Sequence, residues 1–423
     1  MKKILYVVLD GLGDLPIKEL GDKTPLEAAS TPYMDMLAKE GIQGLIYPVA
    51  KGIAPESDIA VISLLGYDAH KVYTGRGPLE AYATGFGIED GDLALRVNFA
   101  TIDVTSKKIL DRRVGRSLTT DEATKLAQEI NDKVALGEGN FVFKNTIGHR
   151  GILVFKKDNS LCGFITNTDP AYKREGVFGI ALEEFTPYLQ EAHPMPGYEN
   201  DKGALLAAKL VNEFVKKSTE VLEGSQTNRN RKQRKELSAN VILGRDAGDS
   251  LPKFKPIAES TGLRFGCFVQ MPVEKGIALL CGMDVVDVPL PTEDLKRDYN
   301  LWASRAEENI KKFDALYIHI KGPDEPAHDG DFLKKKQIIE AIDAHFFGSL
   351  FEKVNKEDFI IAVTGDHSTP CSLKAHSADP VPIIVYGKEK DTTEAFAESQ
   401  AKKGGLGYLL GREVIYKLAE FGR

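Results

Sequence analysis

The stretch that decides the fold lies at the start of the chain, where residues 4–14 read Ile-Leu-Tyr-Val-Val-Leu-Asp-Gly-Leu-Gly-Asp. Six consecutive apolar residues end at Asp10, and a glycine-containing turn follows them. An uninterrupted apolar run of this length is typical of a strand buried on both faces of a parallel sheet. Three later runs have the same character and also stop near a glycine; they cover residues 315–320, 359–363 and 381–386.

Helical patterns separate these apolar runs, and they cover residues 32–40, 299–313 and 333–350. Strands that alternate with helices indicate an α/β fold, in which a mostly parallel sheet lies between layers of helices. Ligands of such sheets collect at the carboxyl ends of the strands. An aspartate stands at or just past the end of three of the four runs, so this edge of the sheet is the expected position of a functional site.

The middle of the chain has a different pattern. Short β-like pieces at residues 93–101, 151–155 and 162–166 mix with one helical pattern near residues 119–135. We therefore predict a core made of residues 1–85 and 240–423, interrupted by an inserted smaller α/β or α+β domain over residues 86–239. A basic stretch, residues 216–240, adjoins the insert; it has two interpretations, a solvated linker or hinge helix and an edge that faces a phosphate.

Composition limits the class of protein. The 423 residues carry 55 Lys and Arg against 62 Asp and Glu, a net charge of −7, which argues against a nucleic-acid partner. With 42% hydrophobic residues the chain is not disordered, and its length suggests two or three domains. No apolar stretch approaches the ~20 residues of a membrane span. Four cysteines without a CxxC pair indicate reduced thiols in a cytoplasmic protein; they are Cys162, Cys267, Cys281 and Cys371.

Carboxylates and histidines cluster at the predicted strand ends. Carboxylate and imidazole together suit Zn²⁺, Mn²⁺ or iron, whereas Ca²⁺ takes oxygen ligands alone. Each aspartate by itself is more typical of a turn or a helix cap, but the coincidence of all the pieces indicates a metal site. Six side chains are too many for one catalytic ion and about right for two; they are Asp10, Asp324, His328, Asp366, His367 and His376.

Ser57 precedes a short apolar helical pattern in the loop that begins at Gly52. Free backbone N–H groups and the helix dipole at such a position would receive a phosphate. A serine oxygen that also approaches a metal loses its proton more readily and becomes a nucleophile. The alternative interpretation is that Ser57 only caps the helix.

Cationic residues that suit an anionic substrate lie mainly in the insert. His149 and Arg150 stand after a glycine and before a β-like piece, and Arg116 precedes them. Arg245 and Lys275 follow the basic stretch. Surface arginines are most often solvated charges, so each of these is a candidate for substrate binding only in combination with the others.

Several motifs together resemble the alkaline phosphatase superfamily, and within it the archaeal-type cofactor-independent phosphoglycerate mutases. The resemblance extends from the first strand to the C-terminal region. The motifs are Val-Leu-Asp-Gly-Leu-Gly-Asp at 8–14, Ser-Leu-Leu-Gly-Tyr-Asp at 63–68 after Ser57-Asp58, Tyr-Thr-Gly-Arg-Gly-Pro-Leu-Glu-Ala at 73–81, His-Ile-Lys-Gly-Pro-Asp at 319–324 with His-Asp-Gly-Asp at 328–331, and Thr-Gly-Asp-His-Ser-Thr-Pro at 364–370.

The resemblance implies an alkaline-phosphatase-like core split by a substrate-binding insert. It implies one metal on Asp10, Ser57, Asp366 and His367, and a second on Asp324, His328 and His376. It also implies that Ser57 is the nucleophile and that substrate contacts come from His149, Arg150 and Asp169, with Arg116, Arg245 and Lys275 as looser matches.

The implied reaction interconverts 3-phosphoglycerate and 2-phosphoglycerate in glycolysis and gluconeogenesis through a phosphoserine. The insert would close over this small phosphorylated acid and exclude water. The expected cofactors are two divalent ions without 2,3-bisphosphoglycerate; the family favours Mn²⁺, while Zn²⁺, Co²⁺ and Mg²⁺ are chemically plausible. The alternative function is a metal-dependent phosphomonoester hydrolase with the same core. The sequence leaves the oligomeric state open, including a homo-oligomer.

Overall fold

The structure is a computed structural model that describes residues 2–182, 184–289 and 292–423. The strands in chain order are β1 (Lys3–Leu9), β2 (Ile42–Tyr47), β3 (Leu93–Ile102), β4 (Ile109–Asp111), β5 (Asn140–Asn145), β6 (Arg150–Lys156), β7 (Tyr172–Glu175), β8 (Phe178–Ala181), β9 (Val241–Gly248), β10 (Phe265–Phe268), β11 (Asp284–Val285), β12 (Ala315–Ile320), β13 (Phe359–Gly365), β14 (Val381–Tyr386) and β15 (Gly407–Leu410).

The helices in chain order are α1 (Pro25–Ala28), α2 (Pro32–Glu40), α3 (Ser57–Leu64), α4 (Ala69–Val72), α5 (Arg76–Ala83), α6 (Thr120–Lys133), α7 (Lys202–Glu223), α8 (Gln226–Gln233), α9 (Ile257–Thr261), α10 (Pro272–Leu280), α11 (Leu295–Ile310), α12 (Asp324–Asp329), α13 (Phe332–Ile342), α14 (Gly348–Phe351), α15 (Glu398–Ala401) and α16 (Gly411–Gly422). A π-helical turn at Asp343–Phe347 lies between α13 and α14. Among the described residues, none of these helices has both the length and the apolar character that crossing a bilayer requires.

The chain forms two compact units. The core unit comprises Met1–Val72 and Lys253–Arg423, and the inserted unit comprises Tyr73–Pro252. The sequence predicted an insert over residues 86–239. The inserted unit is longer at both ends, because it begins at Tyr73 and ends at Pro252. α5 extends the insert at its start, because it packs on β3 and β9. β9 extends it at its end, because this strand pairs with β3.

An eight-stranded sheet forms the centre of the core unit, in the order β11-β10-β12-β1-β13-β14-β2-β15. Apolar side chains on one face of β1, such as Leu5 and Val7, pack in one cluster with Leu37 of α2, Trp302 of α11 and Ile339 of α13. The predicted α/β class with a mostly parallel sheet is confirmed. One strand differs from the prediction: β14 is antiparallel to both β13 and β2. Its apolar run matches that of its neighbours because burial on both faces, rather than direction, determines this pattern.

The register of the three central strands brings three side chains to the same edge. Leu9 at the end of β1 pairs with Ile320 of β12 and with Gly365 of β13. The residues that follow are therefore neighbours, although more than three hundred positions separate the first from the others. They are Asp10, Lys321 and Asp366.

The inserted unit contains an antiparallel sheet in the order β4-β3-β6-β5. A fifth strand, β9, also pairs with β3. α6 and α7 contribute to its apolar core. Residues 216–240, for which one interpretation was a solvated linker or hinge helix, form the end of α7, the whole of α8 and the segment after it, inside the insert and not as a solvated linker. The reason is that Arg231 is buried and donates to Glu122 and to the carbonyl of Leu237, so part of the basic charge is paired internally.

Candidate active site

The first group of candidate ligands lies at the carboxyl ends of β1 and β13. His367 Nε2 lies 3.4 Å from Asp10 Oδ1 and 3.4 Å from Asp366 Oδ2. All three side chains are buried. Gly11 adopts φ +63°, and its N–H donates to Asp366 Oδ1. A Cβ at this position would lie 2.7 Å from Asp324 Cβ, so the turn after β1 needs glycine to let the second group approach.

The second group combines α12 with the segment after β13. Asp324 and His328 are four residues apart on α12 and therefore share one face of the helix. His328 Nε2 lies 3.4 Å from Asp324 Oδ2, and His376 Nε2 lies 3.6 Å from Asp324 Oδ1. Each imidazole Nδ1 donates to a backbone carbonyl, that of Lys374 for His328 and that of Pro55 for His376. These bonds leave both Nε2 atoms free to accept a metal.

Thr369 connects the two groups. Its hydroxyl accepts from His367 Nδ1 at 2.9 Å and donates to Asp324 Oδ1 at 2.8 Å. The rings of His367 and His376 also stack, with centroids 3.8 Å apart. The first group (Asp10, Asp366 and His367, the first triad) and the second group (Asp324, His328 and His376, the second triad) therefore form one continuous polar cluster. The bond at Nδ1 directs His367 Nε2 toward Asp10 and Asp366.

The pKa values within this cluster reflect its close charges. The hydrogen bond to Asp324 raises the pKa of His328 to about 9. Burial alone would lower the pKa of His367, but the charge of Asp366 outweighs it and raises that pKa to about 9. Burial alone would raise the pKa of Asp366, yet His367 and His319 hold it well below its usual range. Positive charge next to these carboxylates therefore stabilises the cluster.

The donor atoms fit divalent cations. Within the described part of the chain, Asp10 Oδ1 and Asp366 Oδ2 are buried and accept no hydrogen bond. A buried carboxylate oxygen without a partner is costly unless something absent from the protein atoms binds it. Two sets of carboxylate oxygen and imidazole nitrogen, each within 4.8 Å, suit Mn²⁺, Zn²⁺ or Co²⁺.

Ser57 is the first residue of α3, after Glu56 in extended conformation. Its Oγ lies 3.1 Å from His367 Nε2 rather than on a backbone N–H of the helix start. The same loop contacts the second triad through the carbonyl of Pro55. The geometry favours the interpretation of Ser57 as a reactive hydroxyl over that of a helix cap.

In the inserted unit, a fully buried carboxylate orients two arginines. Arg112 Nε and Nη2 donate to the two oxygens of Asp169 at 2.9 and 2.6 Å, and Arg245 Nη1 donates at 3.1 Å. The Arg245 guanidinium also lies over the ring of Tyr172, 4.4 Å from its centroid. Both oxygens of Asp169 are occupied, so this residue positions arginines rather than serving as a free base.

His149 marks the position where the cationic candidates of the insert meet. Burial and, after it, the charges of Arg150, Arg113, Arg245 and Arg116 together lower the pKa of His149 to about 4. Arg116 and Arg150 are exposed. The insert therefore holds a group of arginines around one half-buried imidazole, an arrangement that suits an anion.

Three residues near the candidate site were not expected from the sequence, and one expected residue, Lys275, is exposed in the structure. Lys275 lies on the exposed side of α10, whereas its neighbour Glu274 is buried beside Lys321. Thr369 could have been found from its place two residues after His367 in the Thr-Gly-Asp-His-Ser-Thr-Pro motif, and Lys321 from its place directly after β12. An acid within an amphipathic helix carries no such signal, so Glu274 was not predictable.

Fold and site together define an α/β enzyme with two candidate metal-binding groups beside a serine at one edge of its sheet. Residues 38–228 match the family model of 2,3-bisphosphoglycerate-independent phosphoglycerate mutase. A protein of that name from Aeropyrum pernix is 42% identical to this chain, over 97% of it and 96% of the relative. The chain belongs to the 2,3-bisphosphoglycerate-independent phosphoglycerate mutase family, as its motifs predicted, and a mutase is an isomerase.

Solved structures agree with this membership. A protein from Pyrococcus horikoshii superposes with a TM-score of 0.80 at 31% identity, over 100% of this chain and 97% of the other. A cofactor-independent phosphoglycerate mutase from Thermoplasma acidophilum superposes with a TM-score of 0.67 at 30% identity, over the full length of both chains.

Proposed function

We propose that this chain interconverts 3-phosphoglycerate and 2-phosphoglycerate through a phosphoserine at Ser57, without 2,3-bisphosphoglycerate. The observation that carries the proposal is the position of Ser57 Oγ, 3.1 Å from His367 Nε2 at the start of α3. A hydroxyl beside the first group of candidate ligands and at a helix N-terminus has N–H groups near it for a phosphate, and a cation held by that group would lower the pKa of the hydroxyl. Full-length relatives with this name support the choice of substrate.

The two triads would hold two divalent cations, Mn²⁺ foremost. Asp10, Asp366 and His367 with Ser57 would bind one, and Asp324, His328 and His376 the other. When bound, such ions stabilise charge on phosphate oxygens and lower the pKa of a hydroxyl close to them. Thr369 fixes the tautomer of His367, because its hydroxyl accepts the Nδ1 proton. That bond directs His367 Nε2 toward the carboxylates of Asp10 and Asp366.

The reaction consists of two phosphoryl transfers, the first from the substrate to Ser57 and the second from Ser57 back to the substrate. Ser57 Oγ loses its proton and forms a bond to phosphorus, the bond from phosphorus to the 3-oxygen of the substrate breaks, and that oxygen takes up a proton. The bound glycerate then turns, its 2-hydroxyl loses a proton and attacks the phosphoserine, and the bond to Ser57 Oγ breaks. Isomerisation instead of hydrolysis requires that water be kept from the phosphoserine.

The cationic group of the insert would bind the carboxylate of the substrate. Arg245 is presented by Asp169 and Tyr172, which fix the guanidinium plane for a bidentate contact. His149, Arg150 and Arg116 would supply further donors. Lys275, on α10 of the core unit, is exposed like Arg116 and Arg150 and stays a looser candidate for substrate binding. We assign this step of glycolysis and gluconeogenesis to the cytoplasm, whose reducing conditions suit the four free cysteines.

A phosphorus NMR time course tests the proposal. Protein freed of metal by chelation and then reloaded with Mn²⁺ receives 3-phosphoglycerate without 2,3-bisphosphoglycerate. We expect a growing 2-phosphoglycerate signal that depends on the metal and disappears in S57A. The matched control S63A, which removes another hydroxyl of α3, should retain it. Inorganic phosphate as the only product would mean that the chain is a hydrolase instead.

A further inference from the structure

A buried carboxylate that belongs to neither triad lies behind Asp10 and Asp366. Glu274 stands in the first turn of α10 and is 1% exposed. Its Oε1 lies 2.6 Å from Lys321 Nζ and 3.4 Å from His319 Nδ1. Burial alone would raise the pKa of Glu274, but Lys321 and His319 outweigh it and hold that pKa below its usual range. Glu274 is therefore an ionised group in the interior of the core unit.

Both partners of Glu274 reach a candidate metal ligand on their other side. Lys321 Nζ lies 3.0 Å from Asp10 Oδ2, and His319 Nε2 lies 3.3 Å from Asp366 Oδ2. His319 is on β12, and Lys321 follows the end of that strand, beside β1. One carboxylate thus makes contact, through one lysine and one imidazole, with both aspartates of the first triad.

The charges explain why such a group is needed. Without Glu274, the charge of Lys321 would be balanced by Asp10 itself, and a lysine paired with a ligand competes with a divalent cation for it. With Glu274 present, the lysine charge is shared, and Asp10 and Asp366 keep their negative charge for the cation. The same contacts also fix where Lys321 and His319 hold the two aspartates.

We infer that Glu274 is a positioning residue for the metal centre, which orients Asp10 and Asp366 for the cation through Lys321 and His319. The inference rests on the proposed function, because it assumes that the first triad binds a divalent cation. Groups that orient metal ligands from outside commonly change metal affinity about 10- to 100-fold when they are removed.

The test is a titration of the full chain with Mn²⁺, in which the EPR signal of the free ion measures how much Mn²⁺ remains unbound. We expect E274Q to raise the Kd of the tighter ion about 10- to 100-fold and to change the EPR spectrum of the bound ion. The matched control is D343N, which alters another buried acid of the core unit; Asp343 accepts from the N–H groups of Tyr33 and Met34 at the start of α2. D343N should lower thermal stability and leave Mn²⁺ affinity unchanged.

Two further variants keep the test decisive. In E274Q/K321M the unbalanced lysine charge is gone, so Mn²⁺ affinity should recover part of the loss seen in E274Q. If E274Q does not fold, E274D withdraws the carboxylate by one methylene and should also weaken Mn²⁺ binding. If the folded Glu274 variant binds Mn²⁺ as tightly as the wild type, the inference about Glu274 is overturned and the proposed metal centre is not. Absence of Mn²⁺ binding in the wild-type chain would overturn the proposed metal centre, and the inference with it.

Discussion

The Nε2 atoms of His328 and His376 face each other at 3.2 Å. Each ring donates its Nδ1–H to a backbone carbonyl, which directs both Nε2 atoms toward Asp324. Two unprotonated Nε2 atoms at this distance would repel each other, so the pair needs either a proton or a metal cation beside it. Because the pKa of His328 is about 9, a proton on its Nε2 meets this need when no metal is bound. A divalent cation bound here would take the place of that proton.

Removal of one of these imidazoles should remove one metal ion. We expect the wild-type chain to bind two Mn²⁺ per chain and H328A to bind one, because Asp324 and His376 alone leave the second site with two ligands. Metal analysis after gel filtration measures the stoichiometry. H345Q, which changes a histidine of the core unit outside both triads, should still bind two; an unchanged stoichiometry in H328A would contradict the assignment of the second triad.

Replacement of Thr369 should loosen both triads at once. T369V leaves His367 Nδ1 without its acceptor and removes one hydrogen bond from Asp324. We expect the free energy of unfolding to fall by about 1–3 kcal/mol and the affinity for Mn²⁺ by about 10-fold or more. T369S keeps the hydroxyl and should stay close to wild type in both. Chemical denaturation measures the stability and calorimetric titration the Mn²⁺ affinity. Equal effects of the two substitutions would argue against a hydroxyl of Thr369 that connects His367 with Asp324.

Asp169 should be essential to the stability of the insert. D169N removes the nearer charged partner of Arg245, which is 4% exposed, and leaves it only Asp246 at 3.6 Å. Breaking a buried ion pair on one side costs about 3–5 kcal/mol, and we also expect the KM for 3-phosphoglycerate to rise. E175Q is the comparison, because Glu175 pairs with Lys173 at the exposed surface, where an ion pair contributes about 0–1 kcal/mol. Similar unfolding curves for D169N and E175Q would contradict a stabilising ion pair between Asp169 and Arg245.

His149 should make stability depend on pH. Its pKa is about 4 in the folded chain against 6.5 for a free histidine, so between these values the unfolded chain binds a proton that the folded chain does not. This contribution is present above pH 6.5 and is lost as the pH falls through 4. Urea unfolding from pH 7 to pH 4 should therefore show a steeper loss for the wild type than for H149Q.

An anion bound among the arginines should have the opposite effect on this histidine. Saturation with 3-phosphoglycerate brings negative charge close to the ring and should raise the pKa of His149, which an NMR titration of its ring protons measures. The same pKa with and without substrate would place the carboxylate away from His149.

Much of the fold and of the candidate metal centre was predictable because both depend on the ends of buried strands. The apolar run that ends at Asp10 and the run before Asp366 identify two strands, and parallel strands bring their carboxyl ends to one edge. His328 was predictable from its distance of four residues from Asp324 on a helix. The direction of β14 was not, because its apolar run has the same period in either direction.

Other features depend on charge pairing between distant segments. Arg231 belongs to a stretch that is typical of a solvated linker, yet it is buried because Glu122 lies opposite it. Asp169 was expected to contact the substrate, but Arg112 and Arg245, which lie far from it in the sequence, occupy both of its oxygens. A single sequence shows the charges and gives no information on which of them meet.

By itself, the sequence determined the layered α/β class, the strand-end aspartates, the histidines near them and the serine at the start of α3, since each depends on local periodicity or on a short spacing. The tertiary structure alone decided that Glu274 reaches Asp10 and Asp366, through Lys321 and His319. It also decided that Thr369 joins the two triads. These contacts depend on the register of β1, β12 and β13 and on the packing of α10, which only the folded chain fixes.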